Sequence, residues 1–238
     1  MEKIKLFCLP YAGASATVYI NWKRSLDKRI ELKPLELAGR GKRFNEPFYN
    51  SMDEAIEDIY KVLSVELDGT PYAVFGHSMG TIFAYELIRK IICYGNREPV
   101  HVFMSGRYPP YIETEKENIH LLSDKEFINK IMKLGGTKEE VISNKELLDL
   151  FLPVLRADYR LIESYTHNGN VLNLNCDITV LNGKYDDYII GKDVQGWREC
   201  TNKNCNFHEF DDGHFFINKY QEDVIGIVNR VLFMNQNT

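Results

Sequence analysis

The sequence lacks two features that would assign it to common classes of protein. No run of apolar residues approaches the length of about 18 or more that is expected for a membrane-spanning helix. There is no basic surplus either, because 29 Lys and Arg stand against 34 Asp and Glu, a formal net charge of -5. Nucleic-acid-binding proteins usually carry the opposite balance, so the sequence argues against a membrane protein and against a nucleic-acid partner.

Signals of export and of metal binding are also missing. Met1–Lys5 leads directly into an apolar segment without the small-residue cleavage site of a signal peptide, which predicts a cytoplasmic protein. The five cysteines are odd in number, and their spacings fit no disulfide framework. Only Cys200 and Cys205 lie close together, without a second pair at zinc-ligand spacing, so we expect reduced cysteines and no bound metal.

What the sequence does contain is an alternation of strand and helix patterns. Apolar, strand-like segments occur at residues 5–9, about 32–37, 72–75, 100–104, 178–181 and 206–210. Helical spacing of apolar residues occurs at residues 51–68, from residue 79 to about 91, and at 221–233. This alternation predicts an α/β protein with a mostly parallel sheet covered by helices on both faces.

One long segment interrupts the alternation with helical patterns only. From about Ile112 to Tyr165, one helix is predicted from Ser123, with Glu126 completing a capping box, and others near 138–142 and from 145 to beyond 155. An all-helical block inserted into an α/β pattern predicts a lid over one end of the sheet. We therefore expect a core formed by residues 1–110 and 166–238, and a helical lid at 111–165.

The junction of the third predicted strand with the next helix carries a Gly-x-Ser-x-Gly motif, from Gly76 to Gly80. Such a motif between strand and helix is typical of the nucleophile elbow of the α/β-hydrolase fold, where glycines permit a tight, strained turn. We interpret Ser78 as the nucleophile and the Met79 amide as an oxyanion donor at the helix N-terminus. His77 adjoins the serine, so we expect it to point away and to serve packing or hydrogen bonding.

The partners of this serine are expected downstream, because the fold orders its triad as serine, acid and histidine. Among six histidines, His214 is the candidate base, since it lies in a polar turn between the last strand and the last helix. The turn after the preceding strand offers Asp186 and Asp187, and the spacing from Gly183 favours Asp186. The acid would fix the imidazole tautomer while His214 removes the serine proton.

A second oxyanion donor is expected from the loop that follows the first strand. Tyr11-Ala12-Gly13 lies there, and its small residues permit a close approach of the backbone to a ligand. We nominate the amide of Ala12, with Tyr11 and Gly13 as its neighbours.

Several segments together resemble type II thioesterases, the stand-alone editing enzymes of nonribosomal peptide and polyketide synthetases. The similar segments extend along nearly the whole chain, at residues 6–13, 36–43, 75–80, 134–137 and 152–159. Leu-Gly-Gly-Thr at 134–137 and Leu-Pro-Val-Leu-Arg-Ala-Asp-Tyr at 152–159 are much more specific to that family than the elbow. Ala14 departs from the pattern, because many members have a second glycine there.

The resemblance implies an α/β-hydrolase core with a helical lid, a triad that maps onto Ser78, Asp186 and His214, no cofactor, and a monomeric enzyme. It also implies a substrate, an acyl group thioesterified to the 4′-phosphopantetheine arm of an acyl or peptidyl carrier protein. Carrier proteins are acidic around the modified serine, so basic residues are candidates for docking: either Arg40, Lys42 and Arg43, or the lid residues Lys130 and Lys133.

Three other functions stay open at this point. A carboxylesterase or lipase-like hydrolase of the same fold would act on small oxygen esters. A product-releasing or cyclising acyltransferase would pass the acyl group to an amine or alcohol rather than to water. A non-catalytic binding module would retain the fold alone, although the intact order of the triad residues argues against it.

Overall fold

The structure is a computed structural model that describes residues 3–133, 135 and 144–233. Within these ranges six strands form one sheet in the order β2-β1-β3-β4-β5-β6, and every neighbouring pair is parallel. The strands are β1 (Ile4–Leu9), β2 (Ile30–Pro34), β3 (Tyr72–His77), β4 (His101–Ser105), β5 (Asp177–Gly183) and β6 (Cys205–Phe210). The parallel α/β sheet predicted from the alternation is confirmed.

The helices lie between the strands in sequence or follow the last one, and they cover the sheet. In the described residues they are α1 (Met52–Ser64), α2 (Met79–Cys93), α3 (Asp124–Lys133), α4 (Lys145–Ser164), α5 (Phe216–Lys219) and α6 (Gln221–Phe233). Short 3₁₀ segments occur at Ala16–Arg24, Gly41–Arg43, Ile119–Leu121 and Val194–Cys200. None of the helices described has the length and apolar character that a bilayer span would need.

Strand side chains alternate between two apolar clusters on opposite faces of the sheet. In β1, Phe7 and Leu9 belong to the cluster that contains α1 and α2, whereas Leu6 and Cys8 belong to the cluster that contains α6. This is the two-residue period of a strand, and burial on both faces makes β1 a continuous apolar run. The two clusters hold the sheet in place, and the sheet in turn positions the loops that follow its strands.

Two element boundaries differ from the sequence prediction. The second strand ends at Pro34 rather than near Leu37, because its partner β1 ends at Leu9, and a hydrogen bond of 2.9 Å from the Leu35 N–H to the Cys8 carbonyl oxygen joins the two strand ends. The first long helix ends at Ser64 rather than Asp68, because the chain turns there and brings the Asp68 carboxylate within 2.9 Å of Lys5 Nζ.

Between β4 and β5 the described chain contains helical elements only, as expected. The capping box at α3 is present, since the Ser123 N–H donates to the Glu126 carboxylate at 3.2 Å. The helix predicted near residues 138–142 lies outside the described residues. The inserted segment has a small apolar cluster of its own, formed by Ile119, Phe127, Ile131 and Leu155.

Candidate active site

The backbone at the β3–α2 junction is strained at a single residue. Ser78 has φ +55° and ψ −115°, a conformation that residues with a side chain rarely adopt. Its N–H donates to the carbonyl oxygen of Ser105 in the neighbouring strand at 2.8 Å. The chain therefore passes from strand to helix within one residue, and the serine side chain projects from that turn.

Gly76 and Gly80 allow this turn to close. A Cβ at Gly76 would lie 2.2 Å from the carbonyl oxygen of Gly80, and a Cβ at Gly80 would lie 2.2 Å from the carbonyl oxygen of Leu9. Both separations are far below van der Waals contact, and backbone oxygens have little room to move aside. Close packing of the backbone, rather than a positive φ, is the reason for glycine at both positions.

Three side chains from distant parts of the chain meet beside the turn. Ser78 Oγ lies 2.8 Å from His214 Nε2, and His214 Nδ1 lies 2.7 Å from Asp186 Oδ2. The other oxygen of Asp186 accepts a hydrogen bond from the Tyr188 N–H at 2.9 Å. Asp186 and His214 are buried, with 1% and 6% of their surface exposed, whereas Asp187 is exposed. The geometry thus brings together the preferred acid, the base and the serine.

The loops that carry the acid and the base leave the same edge of the sheet. Asp186 follows β5, and His214 lies in the turn between β6 and α5. Adjacent parallel strands end side by side, and the two loops are joined by a hydrogen bond from the Tyr185 N–H to the Asp212 carbonyl oxygen at 3.0 Å. Ligands of open α/β sheets bind at this carboxyl edge, so the site lies where binding sites are usual in such folds.

Two buried histidines serve the structure of the sheet. His77 Nδ1 lies 2.8 Å from the Ser105 hydroxyl, which agrees with the hydrogen-bonding role expected for it. Burial lowers the pKa of His77 well below its ordinary value, and the proximity of the His214 ring adds to this shift. His101 Nε2 lies 2.8 Å from the Thr179 hydroxyl, and burial lowers its pKa to about 4. Both rings are therefore neutral near pH 7.

A cavity of about 250 Å³ opens beside the serine. The loop after β1 forms one wall, and side chains of α4 form another. Aromatic and aliphatic groups predominate on the α4 side, so the cavity suits an apolar acyl chain. Residues on its walls include Ala12, Ser78, His214, Phe151, Leu155 and Tyr159.

The sequence nominated two backbone amides, those of Ala12 and Met79, as oxyanion donors. Within the described residues, neither the Ala12 N–H nor the Met79 N–H donates to a protein acceptor. The next two amides of the first loop are engaged, because Gly13 N–H donates to Asp158 at 2.7 Å and Ala14 N–H donates to the Tyr11 carbonyl oxygen at 3.0 Å. Ala12, the donor nominated from the sequence, is thus an available amide of this loop.

Sequence reasoning missed a buried guanidinium close to the acid and base. Arg107 is 6% exposed and donates to the hydroxyl of Tyr188. The Tyr188 ring lies edge-on to the His214 ring with centroids 5.3 Å apart, and burial raises the pKa of Tyr188 to about 12. Arg107 thus supports the residues around the base through a neutral phenol. No spacing rule connects residue 107 with residue 188, so no sequence signal marked it.

The prediction that Arg40 contributes to a docking surface is wrong. Arg40 is only 4% exposed, and its guanidinium makes two hydrogen bonds of 2.6 Å to the Asp158 carboxylate. A buried, paired guanidinium cannot attract an acidic partner. Among the other basic residues considered for docking, Arg43 is paired with Glu46 and Asp58, whereas Lys42, Lys130 and Lys133 are exposed, Lys130 in an ion pair with Glu117.

The cysteines do not form a metal centre in the part of the chain described. Cys200 and Cys205 are buried and free, and burial raises their pKa to about 12 and about 11. No group of three or more His, Cys, Asp or Glu side chains that could hold a metal ion occurs among the described residues.

The parallel sheet, the strained serine turn and the residues beside it define an α/β hydrolase of the serine hydrolase type. Residues 4–232 match the model of the thioesterase domain family, and the chain belongs to that family. It is therefore a thioester hydrolase.

Known relatives cover nearly the whole chain. The gramicidin S biosynthesis protein GrsT of Aneurinibacillus migulanus is 34% identical and aligns over 94% of this chain and 86% of its own. The crystal structure of ClbQ from the colibactin NRPS/PKS pathway is 38% identical, with a TM-score of 0.93 over 97% of both chains. The type II thioesterase BorB from the borrelidin biosynthetic cluster is 32% identical, with a TM-score of 0.85 over 95% of this chain and 91% of that one. These similarities confirm the predicted resemblance to type II thioesterases and the α/β-hydrolase fold.

Proposed function

We propose that the protein hydrolyses acyl thioesters carried on the 4′-phosphopantetheine arm of carrier proteins, and so removes aberrant or stalled acyl groups from a nonribosomal peptide or polyketide synthetase. The observation that carries this proposal is the hydrogen-bonded series Asp186–His214–Ser78 beside an apolar cavity in a chain of the thioesterase family. The pathways named for GrsT, ClbQ and BorB support a carrier-bound substrate.

In the first half of the reaction Ser78 Oγ attacks the thioester carbonyl. His214 Nε2, 2.8 Å away, takes the serine proton, and Asp186 stabilises the imidazolium that forms. The oxyanion of the tetrahedral intermediate accepts hydrogen bonds from the Met79 and Ala12 amides. The carbon–sulfur bond then breaks, and the pantetheine thiol leaves with the proton from His214.

In the second half water replaces the thiol. His214 removes a proton from this water, which attacks the acyl–Ser78 ester through the same oxyanion site. The ester bond breaks, the serine regains its proton from His214, and the carboxylic acid leaves. Protein side chains, backbone amides and water supply every group in this scheme, so it requires no cofactor.

We further propose that residues 111–165 act as a lid over a core of residues 1–110 and 166–238. Support comes from α4, whose Phe151, Leu155 and Tyr159 share the cavity wall with Ser78. A long, thin pantetheine arm would enter between this lid and the core. The exposed Lys42, Lys130 and Lys133 are the remaining candidates for contact with an acidic carrier protein. We propose that the enzyme works as a cytoplasmic monomer, in keeping with its free cysteines.

The test is intact-protein mass spectrometry of an acetyl-loaded carrier protein before and after exposure to the enzyme. We expect loss of the acetyl group with the phosphopantetheine arm left in place, and no loss with the Ser78→Ala variant. A carrier that stays loaded under wild-type enzyme would refute the proposed substrate.

The same assay separates the other functions. A small-ester hydrolase would cleave p-nitrophenyl acetate yet leave the carrier loaded. A cyclising or transferring enzyme would yield an amide or ester product rather than the free acid, which the product mass reveals. A non-catalytic module would leave both substrates intact and would not react with a fluorophosphonate.

A further inference from the structure

A buried ion pair between the proposed lid and the core contacts the loop that supplies the second oxyanion donor. Asp158 lies on α4 and is 1% exposed, and both of its oxygens accept from the Arg40 guanidinium at 2.6 Å. Oδ2 of Asp158 also accepts from the Gly13 N–H at 2.7 Å. The Arg40 guanidinium in turn donates to the Ala14 carbonyl oxygen at 3.2 Å. The two charged side chains therefore hold two consecutive residues of the loop after β1.

The same face of α4 packs directly on this loop. Phe151, Leu155 and Asp158 are spaced by four and three residues, so they share one side of the helix. Gly13 has φ +78°, and a Cβ built on it would lie 2.8 Å from Leu155 Cδ1 and 2.9 Å from Phe151 Cε2. A glycine is needed here both for its backbone conformation and for this close contact. The loop and the helix are thus in close contact at Gly13.

The contacts engage two amides of the loop and leave the Ala12 N–H without a protein acceptor in the described part of the chain. Gly13 N–H is committed to Asp158, and Ala14 N–H is committed to the Tyr11 carbonyl oxygen. Rotation of the peptide between Ala12 and Gly13 would break the bond to Asp158, so the carboxylate fixes the backbone next to the Ala12 N–H. An oxyanion donor must be held in place before the reaction, because a donor that reorients contributes little to the transition state.

We propose that Asp158 and Arg40 are positioning residues of the hydrolysis, which hold the Ala12 amide in place as an oxyanion donor, and that the lid helix α4 is thereby part of the catalytic apparatus. The inference rests on the proposed function only in requiring Ala12 as the donor. It goes further in assigning a catalytic purpose to a buried ion pair that touches neither the substrate nor the three triad side chains.

The test compares two neutral replacements of the pair. In Arg40→Met/Asp158→Asn the amide oxygen at position 158 can still accept from Gly13 N–H, whereas in Arg40→Met/Asp158→Ala it cannot. Both variants remove the two charges together, which avoids the large destabilisation of a lone buried charge. A third variant, Asp158→Glu, keeps both charges but displaces the carboxylate from Gly13 N–H. The substrate is p-nitrophenyl acetate, which needs the oxyanion site but no carrier protein.

We expect Arg40→Met/Asp158→Ala to lose about 10²-fold in kcat with little change in KM, because the lost interaction forms only in the transition state. Arg40→Met/Asp158→Asn should have a kcat about tenfold or more above that of Arg40→Met/Asp158→Ala, and the two variants should have the same Tm. Asp158→Glu should have a lower kcat than the wild type. Asp124→Asn is the matched control. It breaks the exposed 2.6 Å ion pair between Asp124 of α3 and Arg156, which lies on α4 like Asp158. Its kcat should equal that of the wild type.

Equal kcat for the Asn and Ala variants, or an effect confined to KM, would overturn the positioning role, as would an undiminished kcat in Asp158→Glu. If Asp124→Asn lost kcat to the same extent, the Arg40–Asp158 pair would be a general anchor of the lid and not a positioning pair. A wild-type enzyme that cleaves p-nitrophenyl acetate but not the acyl-carrier protein would count against the proposed substrate and leave this comparison valid.

Discussion

The carboxylate of Asp186 lies 2.7 Å from Nδ1 of His214, although 28 residues separate the two in the chain. With Nδ1–H donating to Asp186, Nε2 carries the lone pair that accepts the Ser78 hydroxyl proton. The acid is itself fixed, because its second oxygen accepts from the Tyr188 N–H. One buried carboxylate therefore sets both the tautomer and the orientation of the base.

We expect Asp186→Asn to lower kcat by about 10⁴-fold, because an amide at this position favours the wrong imidazole tautomer. Asp187→Asn is the matched control, since Asp187 is the adjacent residue of the same type but is exposed. Steady-state hydrolysis of an acyl thioester by both variants measures the difference. A large loss in Asp187→Asn together with an active Asp186→Asn would mean that the acid has been assigned one residue too early.

The strained backbone at position 78 leads to a prediction that separates activity from stability. Ser78→Ala and Ser78→Gly should both abolish turnover and fluorophosphonate labelling while the protein stays folded. Glycine adopts φ +55° without the steric cost that alanine keeps, and this strain is worth about 1–3 kcal/mol. Part of this gain is offset by the greater flexibility of glycine in the unfolded chain.

Urea unfolding should therefore give Ser78→Gly a free energy of unfolding about 1 kcal/mol above that of Ser78→Ala. Retained turnover in either variant would remove Ser78 from its role. A Gly variant that is less stable than the Ala variant would show that the turn is not strained.

The sequence allowed prediction of those parts of the site that depend on local geometry. The elbow from Gly76 to Gly80 could be predicted because close contacts within the turn and with the adjoining strand end require its glycines. His214 and Asp186 are readable because parallel strands deliver the loops that follow them to one edge. The alternation of strand and helix patterns likewise predicted the parallel sheet and the helices that cover it.

Long-range contacts were not readable in the same way. Gly13 and Asp158 are 145 residues apart, and nothing in their spacing predicts that one binds the other. Arg40 resembled a surface charge because it stands in a run of basic and glycine residues, and only the packing of α4 shows that it is buried. Arg107 was missed for the same reason, since its partner Tyr188 is fixed by the tertiary fold.

The cavity wall formed by α4 predicts how acyl-chain preference can be changed. Phe151→Ala removes an aromatic ring from the wall, and the enlarged cavity should raise kcat/KM for an octanoyl thioester relative to an acetyl thioester by about tenfold or more. Leu150→Ala is the control, because Leu150 is the preceding residue of α4 and is 56% exposed. The ratio of the two kcat/KM values in each variant is the measurement. A ratio that shifts equally in both variants would show that Phe151 does not limit the acyl site.

The buried His101 predicts a loss of stability in acid that is independent of catalysis. Burial lowers its pKa in the folded protein to about 4, whereas the unfolded chain has the ordinary value of 6.5. As the pH falls through 6.5, the unfolded chain takes up a proton that the folded protein does not bind until the pH nears 4. Stability is therefore complete above pH 6.5 and decreases through this window, by about 2–3 kcal/mol at pH 4.5.

His101→Gln tests this directly, because glutamine can still hydrogen-bond to Thr179 but does not titrate. Urea unfolding of the wild type and the variant at pH 7 and pH 4.5 gives four free energies of unfolding. The decrease between the two pH values should be smaller in the variant by about 2–3 kcal/mol, while other titrating groups, including the buried His77, act alike in both proteins. An identical decrease in the two proteins would mean that His101 is protonated as readily in the folded chain as in the unfolded one.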